Sequence, residues 1–67
     1  MKNENAVEKT VDYLIDVVGE ATPSKAAEIE NNLELYANDY VLSTFPNLTE
    51  NDQNEIIKAA IKEYQNY

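Results

Sequence analysis

The chain has no cysteine, histidine, arginine or tryptophan, and only one glycine and two prolines in 67 residues. Each absence closes a route. Without cysteine, no disulfide supports the fold. Without histidine or cysteine, a zinc or other soft-metal site is not expected. A single glycine, Gly19, leaves no glycine-rich loop to cradle a phosphate. General base, thiolate and oxyanion roles lack their usual residues, and Ser24 and Ser43 have no base near them in sequence. A carboxylate pair doing acid–base work needs a shielded cleft, which so short a chain does not readily build. The expectation is a protein that is not an enzyme and carries no cofactor and no metal.

Long apolar runs are also missing. The best, Val11 to Val18, is short and broken by Asp12 and Asp16, so no membrane span is expected. The opening MKNENAVEK lacks the apolar segment of a secretory signal, which points to the cytoplasm. A chain of 67 residues makes one domain, residues 1–67, near the lower size limit for folding alone. Its core is small enough for a partner or a second copy to matter to stability.

What the sequence does have is negative charge. Thirteen Asp and Glu face five bases, all lysine, for a net charge of −8. That balance disfavours direct contact with nucleic acid or an anionic membrane, both of which need cationic surface. It suits solubility, or attraction to a basic partner. Abundant Asn, Lys, Ile and Tyr with no Arg suggests AT-rich coding, as in low-GC bacteria and their phages.

The longest periodic stretch is Thr22 to Phe45. Thr22 is a good N-cap and Pro23 suits the first helical position. Gly19, upstream, suits the end of a preceding helix. Pro46 disfavours helix in the residue before it. Ala26, Ile29, Leu33, Tyr36, Ala37 and Tyr40 recur at helical steps and build one apolar face. The spacing predicts one helix over about 23–44. Leu35 and Leu42, seven apart, fall roughly opposite that face, with Ala27, Val41 and Phe45 near them. Either a central helix buries both its sides within the monomer, or Leu35, Leu42 and Phe45 form a patch for a second copy or another partner.

Before this stretch, Val7, Val11, Leu14, Ile15 and Val18 predict a helix over about 5–18, with Asn3 or Asn5 as cap and residues 1–5 frayed. The same helix carries Glu4, Glu8, Asp12 and Asp16, and Glu20 past its end, at a strict interval of four. Each step advances about 6 Å and turns about 40°. The five acids therefore form a winding negative ridge, with Lys9 too little to neutralise it. Like charges four apart destabilise a helix by roughly 0.2–0.5 kcal/mol per pair. The ridge is either a solvated face that keeps the chain soluble or a surface for a cationic groove.

After the turn at Pro46, Thr49 is an N-cap, with Glu50 and Asp52 in the first turn. Ile56, Ile57, Ala60, Ile61 and Tyr64 predict a third helix over about 50–65, with Lys58 and Lys62 opposite. Asn47-Leu48-Thr49 fits the glycosylation pattern, but Thr49 is better used as a cap. The acidic run Thr49 to Glu55 lacks the glycine and alternating acids of a calcium loop. The Asp-Ser-Leu attachment motif of acyl carrier proteins, another class of small acidic helical chains, is absent.

The expected fold is an all-α three-helix bundle with antiparallel neighbours, able to dimerise. A helix-turn-helix DNA reader is opposed by the charge. The leading expectation is a small acidic protein that binds and inhibits or modulates another protein. Its partner would carry a basic surface, nucleic-acid-binding proteins included, so that carboxylates stand in for phosphates as in anti-defence proteins and antirepressors of phages and plasmids. Phosphates along one strand advance about 3.4 Å each, roughly half the acid step. The alternative is a dimerisation or adaptor module binding through Leu35, Leu42 and Phe45.

Overall fold

A computed structural model describes residues 3–67 and places most of them in four helices, with no strand among them. These are α1 (Glu4–Gly19), α2 (Pro23–Asn31), α3 (Leu33–Thr44) and α4 (Glu50–Gln65). Their apolar stripes meet in one cluster: Ala6, Val7 and Leu14 from α1, Leu33, Ala37 and Val41 from α3, and Ile56, Ile57 and Ala60 from α4. The contact of α1 with α4 is the most extensive, that of α3 with α4 the next, and α2 touches its neighbours least. Ile29 of α2 is buried too, but apart from this cluster.

The expected three helices are four, because the stretch 23–44 is interrupted at Asn32. Its backbone leaves the helical region (φ −132°, ψ 36°). Its side-chain amide donates back to the Glu28 carbonyl at 2.8 Å, which closes the end of α2 locally. Asn side chains compete with the helix ladder in this way, and two of them, Asn31 and Asn32, adjoin here. The break frees α3 to turn its own face inward. That face is Leu33, Ala37 and Val41 at steps of four, so Val41 belongs to the core and not to the second stripe.

The other boundaries fall close to expectation. The Thr22 hydroxyl accepts from the Lys25 amide at 3.3 Å, and Thr49 accepts from that of Asp52 at 3.1 Å. Helix α3 stops at Thr44, two residues before Pro46. The fraying expected of residues 1–5 falls partly on residues 1 and 2, outside the described residues; from Glu4 onward the backbone is already helical. Asn3 sits at the N-cap but makes no side-chain cap bond, and Asn5 lies inside the helix. Gly19 is the last residue of α1, and its φ is not positive.

Two polar side chains are buried with the core. The Thr10 hydroxyl donates to the Ala6 carbonyl of its own helix at 2.8 Å. Gln53 reaches from α4 across the turn, and its Nε2 donates at 2.9 Å to the carbonyl of Phe45, just past the end of α3. It ties the two helices together where Pro46 has broken the backbone ladder.

Both Gly19 and Gln53 are testable. An added Cβ at Gly19 meets nothing within 4 Å. Gly19→Ala should raise stability by about 0.5–1 kcal/mol in urea titration, through the lost backbone freedom of the unfolded chain. Gln53→Ala leaves the Phe45 carbonyl with only the Leu48 amide, at 3.3 Å, and should lower stability by roughly 0.5–1.5 kcal/mol, with helix content at low denaturant unchanged.

Candidate protein-binding surfaces

The five acids of the ridge, Glu4, Glu8, Asp12, Asp16 and Glu20, are all exposed. Helix α1 turns Ala6, Val7, Thr10 and Leu14 inward. With about 100° per residue, Asp12 then points almost directly away from the core, with Glu8 to one side and Asp16 to the other. The ridge therefore crosses the outer face of α1 from one neighbour to the other. At its start, Glu4 and Glu8 line a shallow hollow with Val7 and with Glu63 of α4. Further along, Asp12 and Asp16 line a second hollow with Lys9, Tyr13 and Tyr40 of α3. The Tyr13 and Tyr40 rings stack there, 4.5 Å between centroids, and Phe45 meets Tyr40 edge-on at 6.2 Å.

The ridge ends where the backbone favours cations. The last turn of α1 contains no base. Asp16 and Glu20 sit at the negative end of the helix dipole, a placement that typically costs a few tenths of a kcal/mol each. With the like-charge steps, the ridge subtracts from the stability of α1.

The second candidate surface is settled only in part by the fold. Leu35 is 59% exposed and Leu42 46% exposed on the outer side of α3, so the four helices do not cover them. Phe45 does not join them. It is half-buried, packs against the core and contacts Tyr40. The expected patch therefore reduces to two leucines with Asp39 between them, four residues after the first and three before the second, also exposed.

At the base of the molecule the Tyr64 hydroxyl donates to Glu30 Oε2 at 3.1 Å, joining α4 to the end of α2. Burial, then the Glu30 carboxylate, pushes the Tyr64 hydroxyl above its ordinary titration range. Lys25 pairs with Glu28 at 3.2 Å on the surface of α2. No group of three or more acidic, histidine or cysteine side chains among the described residues is arranged to hold a metal ion, and no helix there is long and apolar enough to cross a membrane.

Sequence reading found every acid of the ridge but missed Glu63 and Tyr40 as its neighbours. Both arrive from other helices, and no local spacing signals that. Asp39 was missed as well, although the seven-residue step that pairs the leucines places it between them.

The exposure of the leucines has a direct consequence. Leu35→Ser with Leu42→Ser should change stability by less than about 1 kcal/mol, as surface substitutions do. Leu14→Ala in the core should cost about 2–5 kcal/mol. Chemical denaturation of the three proteins checks the contrast. Compared with known proteins, the chain matches no family model, no curated protein and no solved structure.

Proposed function

We propose that this protein acts by binding another protein through the acidic outer face of α1, and thereby inhibits or modulates it. The observation that carries this reading is the course of the ridge. Its carboxylates cross the whole exposed side of α1 and are joined at one edge by Glu63. The ridge weakens its own helix, so solubility has been obtained in an unfavourable arrangement when the same acids could have been spread over four helices. A contiguous negative surface suits a partner with a cationic groove and steers its approach. Where that partner binds nucleic acid, the protein competes as a DNA mimic, with roughly one carboxylate for every two phosphates of a strand. The protein works in the cytoplasm on this reading, and catalysis plays no part.

A second reading is favoured by the exposed Leu35 and Leu42: an adaptor or dimerisation module whose α3 face is apolar. Salt separates the two. Exposed charges are screened beyond about 8–10 Å in ordinary buffer, whereas apolar burial is not.

Replacing Glu8, Asp12 and Asp16 together by Gln should leave the fold intact or slightly more stable, because repulsion is removed. Partners captured by the wild-type chain from a nuclease-treated bacterial lysate at low salt, and released at high salt, should lose affinity for the triple variant. Three exposed pairs at about 0.2–1 kcal/mol each amount to roughly three- to hundredfold. Unchanged affinity would rule out an acidic binding face.

A further inference from the structure

We infer that the outer face of α3 seats in an apolar groove of a different protein, one whose groove holds two apolar pockets about 10 Å apart with a lysine or arginine between them. This rests on the second reading above and is independent of the acidic face of α1.

The spacing comes from the helix. Leu35 and Leu42 are seven residues apart and about 20° from alignment, so they stand as two knobs on one line. They point away from Leu33, Ala37 and Val41, which fill the core side of α3. Helices bind grooves through anchors at such steps.

The charge between the knobs chooses the occupant. Any surface that covers both leucines also covers Asp39, exposed between them. A carboxylate removed from water without a partner is strongly unfavourable. This chain cannot supply that partner on the same face, since no lysine lies between Lys25 and Lys58. Lys58 of α4 shares a hollow with Glu34 and Asn38, and Glu34 lies about a quarter-turn from the leucines. A second copy fares worse. About a twofold axis that pairs the leucines, α3 of the other copy brings a second Asp39 to the seam and no lysine. Each copy also brings a net charge of −8. Shape and charge are complementary together only in a foreign groove with a cation at its centre.

The test uses synthetic helical hairpins as the probe: one with a leucine-lined groove and lysines at its centre and rim, and one in which those lysines are glutamates. Each is titrated into the isotopically labelled full chain in high salt, where contacts to the α1 ridge are screened. Amide shifts of residues 35–42 should move with the lysine hairpin and not with the glutamate one. Leu35→Ser with Leu42→Ser should weaken binding about tenfold or more. Asp39→Asn should weaken it about fivefold or more, with the fold unchanged. The triple α1 variant should bind within about twofold of wild type. The inference is overturned if neither hairpin binds, if both bind equally, if the shifts map to α1, or if the leucine variant binds as well as wild type. A wild-type chain that sediments as a dimer dissociated by the leucine substitutions would overturn it too. None of these outcomes bears on the ridge, which the triple variant tests separately.

Discussion

The apolar side chains that α1 and α4 turn toward each other are what the rest of the molecule hangs on. Val7 and Leu14 on one helix and Ile56, Ile57 and Ala60 on the other supply much of the buried cluster, and α3 closes it with Leu33, Ala37 and Val41. Full burial of a large aliphatic side chain is worth about 1.5–3 kcal/mol. With Ala6 the cluster has nine buried members, three of them alanines, so the margin over chain entropy is narrow and the polar details carry weight. Gln53 matters for that reason. It holds the end of α3 to α4 across the turn at Pro46.

Within that narrow margin the chain accepts electrostatic strain. Acids at every fourth position of α1 repel one another, and the last of them meet the wrong end of the helix dipole. Two leucines stand in water on α3. Neither feature helps the core. Both lie on outward faces of helices that supply the cluster, one anionic and one apolar with a single charge, so the molecule offers two chemically different surfaces on one small scaffold.

Much of the scaffold was legible in the sequence. Thr22-Pro23, Thr49 and Pro46 announce boundaries by chemistry that acts within three or four residues, and the structure places boundaries there. The apolar steps of α1 and α4 identified most of the core. What was hidden follows a rule too. Asn32 sits in a stretch whose hydrophobic spacing runs through it unbroken, and only a side-chain bond to Glu28 interrupts the helix. Val41 was misplaced because one straight helix was assumed where α3 has a phase of its own. Thr10 and Gln53 are polar, and apolar periodicity is blind to buried polar groups that find partners. For the surfaces, the spacing alone revealed the ridge and the leucines, whereas the contribution of Glu63 depends on how α4 folds back and Phe45 was drawn inward by its ring contact with Tyr40.

The break at Asn32 also divides the molecule by cooperativity. Helix α2 is joined to its neighbours by short links, buries one side chain of its own, Ile29, and is held at its far end by the Tyr64 hydroxyl on Glu30. Local stability follows such contacts. Helix α2 can therefore lift away as a unit while α1, α3 and α4 keep their shared cluster. Its opening would expose Ile29 and the side of α1 that it contacts, so protection of the α2 amides rests on few contacts while that of the other three helices rests on the whole cluster.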